Sequence, residues 1–185
     1  HDDIRQIIFN ISNAANYSRD LGQFIGTIQK ELNTIIDASN FYLALINEET
    51  RQITIPFLED EFETGESFPE SNTLTHYVIK TKLPLLANHQ QINQLAAEGK
   101  VGLFGEESLI WMGVPVKIDE KVIGVIVVQS YKNESAYNES DLKMIEFISD
   151  QIGMLIDRKK AQEDLISALK KAEESDRLKS AFLAN

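Results

Sequence analysis

No cysteine occurs among the 185 residues, which removes disulfides, thiolate nucleophiles and thiolate metal sites together. Basic side chains are scarce as well. Eighteen Lys and Arg stand against 29 Asp and Glu, a formal charge of −11. So acidic a chain repels a phosphate backbone and has no basic aromatic cluster to offset this, so no nucleic-acid partner is expected. Long apolar runs are also missing. The longest, around Val122–Val128, is interrupted by Gly124 and falls far short of the roughly 20 residues a spanning helix needs, so no membrane contact by this chain is expected. The three histidines, His1, His76 and His89, show no metal-ligand spacing, and no metal site is expected. Neither G-x-S-x-G nor a phosphate-binding glycine loop occurs, so the chain is not expected to be an enzyme in its own right.

Hydrophobic residues still make up 43%, the share of an ordinary globular domain with a substantial core. The lack of cysteine fits a cytoplasmic setting, whether or not a larger protein is membrane-attached. The chain opens on His1 without a signal peptide, and Asn185 closes a helical stretch with neither a Gly cap nor a Pro stop. A segment of a longer protein is therefore expected.

Helical spacing of Ile4, Ile7, Ile8, Ile11, Ala14 and Ala15 predicts a first helix over residues 1–17, read as a dimer contact. Ser18 is the expected N-cap of a second helix, in which Leu21, Phe24, Ile25, Ile28, Leu32, Ile35 and Ile36 form one core-facing stripe. The continuously apolar Phe41–Ile46 reads as a strand covered on both faces, and Gln52–Phe57 as its hairpin partner across Asn47–Thr50. Residues 58–72 carry Glu59, Asp60, Glu61, Glu63, Glu66 and Glu70 with Gly65 and Pro69. Their spacing matches no ordered calcium loop, and a solvated loop is expected. Short helices are predicted at Thr73–Thr81 and Asn88–Ala97, with Leu85–Ala87 extended between them. Two long strands follow, Leu109–Ile118 and Lys121–Ser130, with a tight turn at Asp119-Glu120. The β-branched run of the second places it centrally in a sheet, and Gly113 and Gly124 mark a close backbone approach or a bulge. Asn138 with Asp141 forms a capping box that opens a helix running to the end, more than forty residues, too long to be buried in one domain.

The string Trp111-Met112-Gly113-Val114-Pro115-Val116, then Gly124-Val125-Ile126-Val127-Val128-Gln129-Ser130-Tyr131, then Tyr137-Asn138-Glu139-Ser140-Asp141-Leu142 closely resembles the C-terminal half of GAF domains. The likeness covers roughly residues 18–157. It implies an α/β (α+β) fold: an antiparallel sheet of five or six strands, with helices on one face and short helices closing a pocket on the other. Residues 158–185 would then be a signalling helix or coiled-coil linker. Its closing run, Ser175-Asp176-Arg177-Leu178-Lys179-Ser180-Ala181-Phe182-Leu183-Ala184-Asn185, resembles the segment just before the phosphoacceptor histidine of sensor histidine kinases. That likeness implies a kinase domain downstream in the same chain and a parallel homodimer through the terminal helices.

One coiled-coil seam runs through Leu165, Ala168, Ala172, Ser175, Lys179 and Phe182; a second takes Gln162, Leu165, Leu169, Ala172, Asp176, Lys179 and Leu183. Leu178 is a further candidate on the same helix. Two near-equal registers suit a switch, while a seam completed by a downstream bundle explains the same weakness.

The family's ligands narrow on inspection. Covalent bilin attachment and GAF-fold reductase chemistry both use cysteine, which is absent, so no cofactor is expected. The cyclic-nucleotide pattern N-K…F…D-E is not reproduced: Lys132-Asn133 is reversed, the aromatic is Tyr137, and Asp141 precedes Leu142. A small-molecule pocket is expected to be lined by Tyr42, Ala44, Phe57, Tyr77 and Trp111, with core packing as the rival reading of each. The alternative to a kinase module is a ligand-binding domain regulating another output, such as a cyclase, phosphodiesterase or phosphatase.

Overall fold

The computed structural model describes residues 2–64, 68–69 and 71–184. Of the acidic stretch, Gly65, Glu66 and Glu70 lie outside the described residues, as do His1 and Asn185.

In chain order the elements are α1 (Asp2–Tyr17), α2 (Leu21–Leu32), β1 (Phe41–Ile46), β2 (Ile53–Glu59), α3 (Leu74–Thr81), β3 (Leu85–Asn88), α4 (His89–Ala97), β4 (Ile110–Ile118), β5 (Lys121–Ser130) and α5 (Glu139–Ala184). The five strands form one antiparallel sheet in the order β2-β1-β5-β4-β3. The strands read as central, β1 and β5, pair with each other and sit inside the sheet. All six residues of β1 are buried, as a strand covered on both faces requires.

Strand alternation then divides the interior in two. Phe41, Leu43 and Leu45 of β1, with Met112, Val114, Ile126 and Val128, face the helical layer of α1, α2 and the first half of α5. Tyr42 and Ala44, with Trp111, Val125 and Val127, face the other way, toward α3 and α4. The two cores lie on opposite faces of one sheet, and the second, smaller one underlies the candidate site.

The helix caps follow the sequence chemistry with one correction. Ser18 does not cap α2. Its backbone N–H and its Oγ both donate to the Ala14 carbonyl, at 2.9 and 2.6 Å, and so close α1. Asp20 is the cap, accepting from the Gln23 amide at 2.8 Å. Serine suits either terminus, because its hydroxyl bonds i−4 carbonyls as readily as it accepts from amides. At the start of α5 the Asn138–Asp141 box is reciprocal, with both side chain-to-backbone bonds at 3.0 Å.

The face of α1 that carries Ile7 and Ile11 is used up inside the chain, packed against α2 and α5. A dimer contact on α1 would have to use its outer face, where Phe9 is exposed. Helix α5 behaves as two segments. Leu142, Ile145, Ile148, Ile152 and Ile156 are buried against the sheet, and Gly153 lets the helix approach the Lys117 carbonyl closely. From Ala161 to Ala184 every residue is exposed.

The crossover between these segments is clasped. The buried Lys159 donates through Nζ to the Ser18 carbonyl at 2.6 Å, and Glu163 accepts from the Leu21 amide at 2.8 Å. The pair ties the free part of α5 to the α1–α2 junction. Lys159→Met with Glu163→Ala is expected to cost about 3 kcal/mol, the sum of two hydrogen bonds to charged groups. Amide exchange should accelerate at residues 18–22 while β1 and β5 stay protected; uniform exchange would show that the clasp holds nothing.

Candidate functional site

Above the smaller core lies a cavity of about 320 Å³, at the lower bound for small-molecule sites, which run from about 300 to 1,000 Å³. Its floor is the sheet: Tyr42 from β1, Trp111 from β4 and Gln129 from β5. Each has the parity of the inner alternation, so the strands themselves aim these side chains at the cavity. Gly113 makes room for the indole, since a Cβ there would lie 2.3 Å from the Trp111 ring. Helix α4 supplies His89, Ile92 and Asn93 as one wall. Strand β2 contributes Leu58, the chain after it Glu63 and Phe68, and the loop before β4 Leu103, Phe104, Glu106 and Glu107.

Polar groups on the floor form one connected chain of hydrogen bonds. Ser108 Oγ donates to Gln129 Oε1 at 2.5 Å, and Gln129 Nε2 donates to Asp60 Oδ2 at 2.9 Å. The Tyr131 hydroxyl donates to Asp60 at 2.8 Å, and the Phe62 and Glu63 amides donate to Asp60 Oδ1. Burial pushes the Tyr131 phenol well above its ordinary range, and the Asp60 carboxylate adds to the shift by accepting its proton. The start of the acidic stretch is solvent-facing at Glu59, Glu61, Phe62 and Thr64, yet it is pinned to the sheet through Asp60. Asn40 exchanges two hydrogen bonds with Glu61, Lys132 pairs with Glu61 at 2.8 Å, and Phe62 packs edge-on against Tyr131 with centroids 4.7 Å apart. Among the described residues no group of three His, Asp or Glu is placed to hold a metal ion.

Aromatic rings complete the wall. The Tyr42 hydroxyl meets Thr75 Oγ1 at 2.6 Å, and Phe68 lies edge-on to Tyr42 and stacked on His76. Burial raises the Tyr42 phenol far above its usual value and keeps it neutral. His76 Nδ1 sits 2.6 Å from Thr73 Oγ1 in the cap of α3.

Two of the five residues expected around a pocket, Tyr42 and Trp111, stand in its wall. Ala44 is on the same sheet face, packed with Val78 and Val125 and outside the cavity lining. Phe57 is on the opposite face, against Phe41 and the flat of Gly26. It pairs with Leu43 and shares that residue's side, whereas Leu58, paired with Tyr42, faces the cavity. Tyr77 is half-buried on α3 and outside the lining. Gln129 and Ser108 were not anticipated. Gln129 had a readable signal, as a polar residue that continues the β-branched run of β5 at the parity of Val125 and Val127. The loop residues had none, because the fold alone brings them there.

A five-stranded antiparallel sheet flanked by helices is matched in both sequence and structure. The GAF domain family model matches residues 18–157. The chain belongs to the GAF domain family. No curated protein sequence matches it, but solved GAF structures superpose closely. The GAF domain of an Acinetobacter phosphoenolpyruvate-protein phosphotransferase is 19% identical with a TM-score of 0.67, over 86% of this chain and 93% of that one. The phycocyanobilin-bound GAF domain of a cyanobacterial phytochrome is 13% identical with a TM-score of 0.62, over 86% and 96%. Free methionine-R-sulfoxide reductase from Neisseria meningitidis, in complex with its substrate, is 11% identical with a TM-score of 0.65, over 86% and 91%. At these identities the likeness is one of fold. No helix among the described residues of this GAF domain is long and apolar enough to cross a membrane.

Proposed function

We propose that this GAF domain is the sensory and dimerising module of a two-component histidine kinase. It binds a small molecule in the cavity and relays occupancy through α5 to an autophosphorylating histidine domain downstream in the same chain. The observation that carries the reading is α5 itself. One unbroken helix of 46 residues is core packing at its start, yet exposes Leu165, Leu169, Leu178 and Phe182 at its end. Exposed apolar residues on an isolated helix ask for a partner, and a second copy aligned in parallel buries them along Leu165, Ala168, Leu169 and Ala172. The run Ser175–Asn185, similar to the segment preceding a kinase histidine box, points to the output.

A route from cavity to helix supports the relay. Gln129, in the cavity floor, lies two residues before Tyr131; the chain then passes Tyr137, whose hydroxyl donates to the Asp37 carbonyl at 2.5 Å, and enters α5 at Glu139. Two of the structural neighbours hold small molecules on the same fold, a bilin and a reductase substrate, which supports a ligand-occupied cavity. The second reading, control of a cyclase, phosphodiesterase or phosphatase, uses the same cavity and helix and differs only in the output domain that α5 would reach. Autophosphorylation separates the two. The full-length protein with labelled ATP is expected to carry acid-labile phosphate on a histidine shortly after Asn185. A folded, dimeric, nucleotide-binding protein without label would exclude the kinase output.

A further inference from the structure

The cavity has an uneven charge. Glu63, Glu106 and Glu107 stand in its wall and at its mouth, while no lysine or arginine lines it among the described residues. His89, in the lining, contacts Asn93 at 3.2 Å and lies 3.9 Å from Glu107. Asp60 adds a fourth carboxylate directly behind Gln129.

Helix N-termini, the usual substitute for cationic side chains in holding an anion, are already capped here. At α4, Asn88 takes the Gln91 amide, Gln91 Oε1 takes the Asn88 amide, and the His89 amide donates to the Leu109 carbonyl. At α3, Thr73 Oγ1 takes the His76 amide. A phosphate or carboxylate entering the cavity would lose its hydration beside three carboxylates without meeting a lysine or arginine among the described lining residues.

The same walls suit the opposite charge. Tyr42, Phe68, Trp111 and Phe104 present aromatic carbon to a volume edged by acid. Ring faces attract cations, most strongly where water is excluded. Glu63 is a positioned acid. Its amide donates to Asp60, and its carboxylate lies over Gly105, whose φ of +65° and missing Cβ leave the space. Ser108 spends its proton on Gln129, so its oxygen is left as an acceptor facing the cavity. Carboxylates, ring faces and acceptor oxygens are the complement of an ammonium group on an apolar body.

Resting on the ligand-sensing reading above, we propose that the cavity takes a small organic cation, a protonated or quaternary amine with an apolar or aromatic body. The chain provides its own reporter, because its one tryptophan, Trp111, stands in the cavity wall. Trp111 fluorescence is titrated at constant ionic strength with phenethylammonium and choline as cations, 2-phenylethanol as the neutral analogue and 3-phenylpropionate as the anion. The cations should quench or shift the emission saturably, with the alcohol bound about tenfold more weakly and the anion not at all. Glu63→Gln with Glu107→Gln should weaken the cations about tenfold and leave the alcohol unchanged. Circular dichroism on the same samples establishes that the variant is folded. The alcohol or the anion binding as tightly as the cations would overturn the cation preference and leave a ligand pocket standing. No response to any of the four would overturn the preference and the ligand-sensing reading together.

Discussion

Gly124→Ala is expected to destabilise the domain by about 3 kcal/mol, although it adds a single methyl group. The new Cβ would lie 2.4 Å from the Ala44 carbonyl oxygen and 3.0 Å from a Leu45 methyl. The first neighbour is backbone, in the ladder joining β1 to β5, and cannot turn aside as a side chain would. Relief requires the two central strands to separate, and both cores are built on that pair. Gly99 is the matched control. Its φ is +75° and nothing lies within 4 Å of a methyl placed there, so Gly99→Ala carries only backbone strain, about 1 kcal/mol. Urea denaturation of the two variants checks the ranking. Equal midpoints would mean that β1 and β5 can part without cost.

Asp60→Ala is expected to cost about 2–3 kcal/mol and to abolish binding at the cavity, while Asp60→Asn should cost less than about 1 kcal/mol. Alanine removes the acceptor for Gln129 Nε2, the Tyr131 hydroxyl and the Phe62 and Glu63 amides together. Gln129 is buried, so its abandoned donor meets little water. Glu63 also loses the anchor of its backbone amide, and one wall of the cavity goes with it. The amide variant retains an oxygen for the two backbone donors. Its NH₂ then faces Gln129, whose side chain can rotate by half a turn to accept from it and donate to Ser108, with the Ser108 hydroxyl reversing in step. Denaturation midpoints and Trp111 titrations of both variants test this. Equal losses in the two would show that the Asp60 charge is required, and not only its hydrogen-bond acceptors.

Elements whose instructions lie within a few neighbouring residues were legible before any tertiary contact was known. The Asn138–Asp141 box opens α5 because both partners are three residues apart on one chain. The apolar run Phe41–Ile46 and the β-branched run of β5 indicate strands covered on both faces, since no other placement hides such stretches from water. The GAF strings between Trp111 and Leu142 supplied the family, and the fold followed with it. Ser18 shows the limit of local chemistry: a hydroxyl between two helices can end one or begin the other, and the better acceptor at Asp20 decided which.

The cavity required the folded chain. Its walls come from positions as distant as Tyr42, Glu63, Ile92 and Gln129, and their meeting depends on strand order, which no single segment encodes. The side of the sheet that each residue occupies is equally collective. Because side chains alternate with period two, one step of register exchanges Phe57 for Leu58 at the cavity. The irregularity between Leu43 and Leu45 sets that step in the β1–β2 pairing, opposite Ile55 and Pro56, the second of which has no N–H to give the ladder. By itself, then, the sequence determined which segments are helix and strand, where α5 begins, and the family to which the chain belongs, because these rest on short-range spacing and composition. Tertiary structure alone decided the composition and negative charge of the cavity, because these are properties of surfaces assembled from distant parts of the chain.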